Sequence, residues 1–464
     1  MQKGDQIASD KPKQYRELYV ADDKIYTRKI TGFFTKVRRY TGMPLLAGFL
    51  LCPWLILDGR PAMLFDLPAR KFHVFWLTFW PQDAMYLAWL LIMAAFLLFT
   101  ITVLVGRVYC GYTCPQTVWT MMFIRVESFI QGDRNARIKL DKQPWDSQKI
   151  FKKGATYATW FLIALVTALT FVGYFVPIRE LISSIVNLTV HPVAAFWVAF
   201  FTGATFLNAG FMREQVCKYM CPYARFQSVM YDKNTLAVRY DASRGESRGP
   251  RKPKEDYKAK GLGDCIDCSW CVQVCPVNID IRDGTQYECI DCGLCVDACN
   301  SVMDKLGYER GLIRYATVES IEGKKAHIIR PRLIGYLLAL CVMATLFSIS
   351  IANRVPVGMD VLRDRGVNLY RVRGENVENV YSLRVNNKDR DPHYYNVSVR
   401  GIEDAKLLGN TRIYLEEGEI LTVPVRLSIP KSALSASNIG VEFYVQAEDN
   451  AEMEASHIAR FLSP

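Results

Sequence analysis

No cysteine occurs beyond Ala352, so nothing in the C-terminal part of the chain implies disulfide staples. Asp, Glu, Lys and Arg are missing from five long stretches: Tyr40–Leu57, Ala84–Val105, Gly154–Ile178, His191–Met212 and Leu333–Ala352. A helix needs about 20 apolar residues to cross a bilayer. The last four stretches reach that length and the first is shorter; five transmembrane helices are expected. The first thirty residues are polar, so no cleavable signal peptide is expected. No Gly-rich fingerprint follows a predicted strand, so neither a bound NAD nor a Walker-type ATP site is expected. No nucleic-acid partner is expected either.

What is present fits a membrane protein with basic loops. Half of the 464 residues are hydrophobic, yet the net charge is +11. Lys and Arg crowd the segment before the first stretch (TRKITGFFTKVRRY), the loop 107–153 and the stretch 213–332, and are sparse in 57–83 and 179–190. The positive-inside rule then places the N-terminus and both basic loops in the cytoplasm. Five crossings put the tail in the periplasm of a Gram-negative cell, so the chain is read as a multi-pass protein of the bacterial inner membrane.

Eight cysteines form two matching runs. One is CIDCSWCVQVCP, with Cys265, Cys268, Cys271 and Cys275; the other is CIDCGLCVDACN, with Cys289, Cys292, Cys295 and Cys299. The C-x2-C-x2-C-x3-C spacing is that of bacterial ferredoxins holding two 4Fe–4S cubanes, in which the fourth thiol of each run ligates the other cluster. Cluster one is assigned to Cys265, Cys268, Cys271 and Cys299, and cluster two to Cys289, Cys292, Cys295 and Cys275. Pro276 follows the first run, whereas Asn300 stands at the equivalent place in the second. Disulfides would need an oxidising compartment, and zinc sites rarely show this doubled pattern.

Four more cysteines form two C-x3-C-P pairs, Cys110/Cys114 before Pro115 and Cys217/Cys221 before Pro222. Each lies just past the cytoplasmic end of an expected span, which suggests a two-fold repeat that brings the pairs together. Residues four apart share a helix face at about 5–6 Å, wider than the roughly 3.8 Å of a relaxed disulfide. Each pair can share one soft metal ion, or four thiols can surround one; thiolates suit Cu(I). The proline disfavours helical geometry at each second cysteine. A redox-active dithiol favoured by Arg107, Lys218 and Arg225 is a subsidiary reading, and inert packing is the bland one. Cys52 and Cys341 are read as packing residues. His73 and His191 lie toward the outer face and are read as structural more readily than as ligands. Trp54, Trp76, Trp80 and Tyr86 fit an aromatic belt.

The remaining segments read simply. Residues 1–39 form a basic cytoplasmic segment, and 40–240 a membrane domain of four helices carrying the C-x3-C-P pairs. Residues 241–263 form a basic, flexible linker, and 264–310 the ferredoxin module. A connector, 311–332, leads to the fifth helix, 333–352. The tail 353–464 alternates in VYSLRVNN, HYYNVSVRG, LTVPVRLSIP and IGVEFYVQAED between turn residues; period-two patterning predicts a small antiparallel β-sandwich.

The order of FDLPARKF with TFWPQD, YCGYTCPQTVW, REQVCKYMCPYARFQSVM, the double ferredoxin run and GLIRYAT resembles the cytochrome c oxidase accessory proteins of the CcoG/FixG/RdxA family over nearly the whole chain. The resemblance implies a membrane polyferredoxin with an immunoglobulin-like C-terminal domain. It implies a Cu(II) oxidoreductase that supplies Cu(I) for assembly of the cbb-type oxidase. Implied partners are membrane lipid, copper ions, copper exporters, copper chaperones or assembly factors, and an unidentified electron donor. Met121 and Met122 follow TVWT where an acidic residue is expected. The alternatives are a quinol-linked electron conduit and a non-catalytic assembly scaffold.

Overall fold

Uncharged runs become helices where their length permits. The computed structural model describes residues 24–464 apart from 58, 252–255, 365–369, 390, 403 and 435. The start of the expected basic segment and four residues of the expected linker therefore lie outside the described residues. Among those described, four helices are long and apolar enough to span a membrane: Ala84–Val105, Ser147–Val172, Pro192–Met212 and Pro331–Ala352. Four buried hydroxyls within them are satisfied internally, as apolar surroundings require. The hydroxyls of Thr100, Thr102, Thr170 and Thr202 donate to carbonyls one turn back at 2.7–2.8 Å.

The first expected span differs. Its helix is Phe33–Leu51, which carries Lys36, Arg38 and Arg39 in its first turns. The uncharged remainder from Tyr40 covers only about 18 Å. Pro53 stops the helix early: Cys52–Trp54 is a 3-10 turn and Ile56–Leu57 a short strand. Both helix ends are tied. The backbone N–H groups of Phe34 and Thr35 donate to Asp297 at 3.2 and 2.8 Å, which caps the orphan donors of the first turn. At the other end Tyr174, just past Ser147–Val172, donates its hydroxyl to the Phe49 carbonyl at 2.8 Å.

Two compact units result, one built from residues up to Asp66 with Leu90–Leu340, the other from Leu67–Trp89 with Cys341–Pro464. In the first, Ser147–Val172 packs along Pro192–Leu207, with Phe171 and Phe201 at 4.4 Å and Trp160 stacked on Phe123 at 5.3 Å. Strands Ala237–Tyr240 and Ile313–Ala316 pair antiparallel and flank the two cysteine runs. The first strand lies in the segment expected to be membrane domain, 40–240, and the second in the connector 311–332. The expected tether is also more ordered than its composition suggests. Arg244 bonds Asp264 at 2.5 Å, Arg251 donates to the Gly263 carbonyl at 2.7 Å and the Gly249 N–H to the Cys265 carbonyl at 3.2 Å. Arg244 and Arg251 thus reach the module's own carboxylate and the adjoining carbonyl.

The second unit contains the sandwich. One sheet runs Lys406–Gly409, Ile420–Pro430, Asn376–Asn387, Val357–Arg363, with Arg371–Arg373 beside Asn376–Asn387; the other runs Arg412–Leu415, His393–Arg400, Asn438–Ala447, Glu454–Leu462. Inward residues Tyr381, Leu383, Leu427, Phe443 and Phe461 form the core. Trp80 is 2 % exposed and lies against Gly418, so it is a packing residue rather than part of an aromatic belt. His393 is held between Asp449 at 2.6 Å and Asp389 at 3.0 Å. Burial disfavours its charge, but the two carboxylates outweigh this and raise its pKa above the usual histidine range. A raised folded pKa gives stability that is full below about pH 6.5 and is lost as pH rises through the folded value. Calorimetry of the full chain should show the β-domain transition falling in temperature across that window, and His393→Gln should flatten the dependence.

Candidate functional site

The two cysteine runs fold as copies. Asp267 and Ser269 in the first, and Asp291 and Gly293 in the second, all take positive φ, between 47° and 72°. Each run then enters a helix, Trp270–Gln273 or Leu294–Leu306. The tight reversals turn thiols two residues apart toward one centre. Cys265, Cys268, Cys271 and Cys299 line one small cavity; Cys275, Cys289, Cys292 and Cys295 line a second, which Cys271 borders. The fourth thiol of each run thus faces the other run's cavity. Both cavities are walled by aliphatic side chains such as Val302 and Ile313, or Val277 and Ile279. Burial pushes the thiols of Cys271 and Cys299 up to about 12 and Cys275 up to about 11. Loading iron would therefore displace protons. Four sulfur donors around each of two enclosed apolar cavities fit two cubanes.

The C-x3-C-P pairs are also brought together. Cys110 lies in the turn Val108–Tyr112, and Cys114 precedes helix Pro115–Ile130 with ψ 129°. Cys217 lies in the π-helical turn Val216–Met220, and Cys221 precedes helix Pro222–Met230 with ψ 109°. Proline thus extends the backbone at both second cysteines. The Cys114 N–H donates to the Tyr109 carbonyl and the Cys221 N–H to the Val216 carbonyl, each at 2.9 Å and each five residues back. The second cysteine of each pair thus has the same backbone bond and an extended conformation. Across them, Tyr109 and Tyr223 meet edge-on at 6.4 Å, and Cys110 Sγ lies 3.4 Å from Gln227 Oε1. Arg107 donates to the Ala224 carbonyl.

Burial, with neighbouring thiols second, pushes Cys110 and Cys217 up to about 12; Arg107 works against this and loses. Burial thus works against the thiolate that a redox-active dithiol would use. His73 bonds Thr78 at 3.0 Å, and His191 accepts from the Val193 N–H at 3.3 Å, so both imidazoles are engaged locally.

The first pair rests on the second ferredoxin loop. A Cβ on Gly111 would lie 2.6 Å from the Ile290 carbonyl oxygen and 3.0 Å from Cys292 Cα. Only a residue without a side chain allows that approach. Cys110 accordingly packs in one apolar cluster with Ile290, Cys275, Cys289 and Cys292. Asp291, 2 % exposed, locks the junction: it accepts from the Arg107 N–H at 2.9 Å, the Tyr231 hydroxyl at 2.7 Å and the Val238 N–H at 3.0 Å. A second lock is Glu127, 1 % exposed, which meets Arg213 at 2.9 Å, Lys24 at 2.9 Å and Arg137 at 3.4 Å. It joins the helix after the first pair to the residue that introduces the second. An acid is thus present on helix Pro115–Ile130, six residues from where the sequence suggested it was missing. The sequence offers Arg107 only as a cation near the thiols and gives no role to Gly111, Glu127 or Asp291. The repeated CIDC offered a signal for Asp291; nothing local marked the others.

Comparison with known proteins agrees with this layout. The family model of a 4Fe-4S dicluster domain matches residues 212–318, that of a 4Fe-4S binding domain 86–132, and that of the IG-like fold at the C-terminal of FixG 347–464. Nitrogen fixation protein FixG of Rhizobium meliloti is 36 % identical, covering 94 % of this chain and 92 % of its own. The chain belongs to the FixG/RdxA family. Protein RdxB of Cereibacter sphaeroides is 36 % identical over 96 % of this chain and 97 % of its own, and RdxA of the same organism 38 % over 83 % and 84 %. A crystal structure of a FixG-related protein from Vibrio parahaemolyticus aligns at 36 % identity over 23 % of this chain and 95 % of its own, with a TM-score of 0.22. The FixG/RdxA chain described here is thus an iron–sulfur electron-transfer protein of a membrane, with an immunoglobulin-like C-terminal domain.

Proposed function

We propose that this chain reduces Cu(II) to Cu(I) on the cytoplasmic side of the inner membrane, for assembly of the cbb-type cytochrome c oxidase. The observation that carries the reading is the contact at Gly111, which sets Cys110 of the first C-x3-C-P pair against the second ferredoxin loop. The cubanes, when bound, supply one-electron chemistry. Reducing Cu(II) takes one electron and no bond cleavage at the metal; an external reductant, still unidentified, provides that electron. The residues hold the ferredoxin thiols around small apolar cavities and fix the junction through Arg107 and Asp291. Copper, as substrate, meets the chain at or near Cys110, Cys114, Cys217 and Cys221, where soft sulfur favours the reduced ion.

The topology proposed with it has five crossings. Helix Phe33–Leu51 has its first turn on the ferredoxin module and its last beside Tyr174, past the far end of Ser147–Val172. It is about 28 Å long, close to the roughly 30 Å hydrocarbon thickness. Its cations sit at the end near the module, in keeping with a cytoplasmic N-terminus. The β-sandwich is then periplasmic and free to meet assembly factors.

Dithionite-reduced protein, freed of excess reductant, should convert Cu(II) to a coloured Cu(I)–chelator complex. Turnover no faster than that of protein stripped of iron would refute the proposal. A second reading, a quinol-linked conduit, draws on a cavity of about 380 Å³ beside Cys217, walled in part by Met121, Ile124, Val277 and Leu294. Rapid oxidation of quinol without dependence on copper would favour it.

A further inference from the structure

We infer that the cavity beside helix Phe33–Leu51 seats the phosphate of an anionic membrane phospholipid, held by Arg38, Arg39 and Arg125. The inference goes beyond the copper reading and makes no use of the C-x3-C-P thiols. Three observations lead there.

The first is a buried charge without a counter-ion. Arg38 is 5 % exposed and lines the cavity of about 380 Å³. Among the described residues, no carboxylate, carbonyl or aromatic ring partners its guanidinium. Buried charges are otherwise paired, because a lone ion forfeits its hydration. Arg39 and Arg125 line the same cavity and are likewise without a partner among the described residues. Burial, then the charges of Arg39 and Arg38, lower the pKa of Arg125 below the usual arginine range. One anion near the three guanidiniums would relieve that repulsion. Asp133 and Glu214 also line the cavity, but neither pairs with these arginines. Two further arginines on the wall are committed elsewhere: Arg213 to Glu127 at 2.9 Å, and Arg28 over the Trp270 ring at 3.7 Å.

The second is the rest of the wall. Met121, Ile124 and Phe129 of helix Pro115–Ile130 line it together with Leu294, and Phe129 is largely exposed. Free phosphate has no use for such a surface, whereas an acyl chain does. Guanidinium forks match phosphate oxygens in pairs.

The third is position. Arg38 and Arg39 are the last charges before the uncharged stretch that starts at Tyr40. The cavity therefore lies where this helix passes from charged to apolar sequence, the level of lipid headgroups on a spanning segment. The quinol reading draws on the same cavity, but a neutral quinol leaves three charges unanswered.

The test uses the full chain, stripped of lipid by exchange into a neutral detergent. It reads thermal unfolding of the membrane unit and the lipid phosphorus retained after gel filtration. Phosphatidylglycerol should raise the unfolding temperature and stay bound at about one molecule per chain. Phosphatidylcholine and inorganic phosphate at equal concentration should do neither. Arg38→Gln and Arg125→Gln should each weaken phosphatidylglycerol binding about tenfold or more. Lys325→Gln, an exposed cation elsewhere, should leave it unchanged. Without lipid, Arg38→Gln should unfold no lower than the unmodified chain, because it removes an unanswered buried charge; a cooperative transition also shows that the variant has folded. A lower lipid-free unfolding temperature with unchanged lipid affinity would make Arg38 a structural residue and overturn the inference. Equal stabilisation by phosphatidylcholine, or by inorganic phosphate alone, overturns it too. None of these measurements reads copper, so the copper reading stands or falls separately.

Discussion

Replacing Glu127 with alanine should cost the membrane unit about 3–5 kcal/mol, the scale for removing one member of a buried ion pair. Three cations would lose their common partner: Arg213, Arg137 and Lys24. Burial opposes the charge on Glu127, yet Arg213, Lys24 and Arg137 outweigh it and hold its carboxyl below the usual range. The partners respond unequally. Lys24 is raised because Glu127 and Asp141 exceed the effect of its burial, whereas Arg137 is lowered because burial prevails, with Arg213 a further opposing charge. Of the two, we give Arg137 the greater dependence on the carboxylate, because it is 1 % exposed and Lys24 is 37 % exposed. Arg213 adds a backbone reason: its φ is +39°, a conformation that persists only when its surroundings enforce it. Thermal unfolding in detergent checks the expectation. Glu127→Asp, which keeps the charge, should lose much less; equal losses for both variants would mean that side-chain packing, not charge, matters here.

Gly111→Ala should uncouple the first C-x3-C-P pair from the ferredoxin module while leaving the ferredoxin iron in place. A methyl group 2.6 Å from the Ile290 carbonyl oxygen forces the two backbones apart. Overpacking of this kind costs about 1–3 kcal/mol, enough to weaken the docked arrangement roughly fivefold to a hundredfold. Copper reduction should fall by up to that factor, with the ferredoxin colour and reduced spectra unchanged. Gly48→Ala, at a helix position with nothing within 4 Å of the added atom, is the matching control. Turnover in Gly111→Ala equal to that of the unmodified chain would show that the contact has no part in electron delivery.

Much of this architecture can be read from local pattern. The cysteine spacing specifies which thiols wrap one loop, because ligands two residues apart need no tertiary information to converge. The uncharged stretches give the four long spans, since length and transfer cost alone decide them. Four of the sandwich strands follow from alternation, as in His393–Arg400, whose side chains are buried at every second position over most of its length. The proline rule also foretold the extended backbone at Cys114 and Cys221.

Only the tertiary structure decided the rest, because the deciding contacts join residues far apart in the chain. The first turn of Phe33–Leu51 is capped by Asp297, more than 260 residues away. A linker judged by its composition becomes ordered when Arg244 finds Asp264. Trp80, which by type belongs at an interface, is buried against Gly418. The need for glycine at 111 is invisible until another backbone arrives against it. Composition and spacing determined what chemistry the chain has to offer, whereas packing decided which thiols share a site, which charges are buried together, and where one redox loop meets the next.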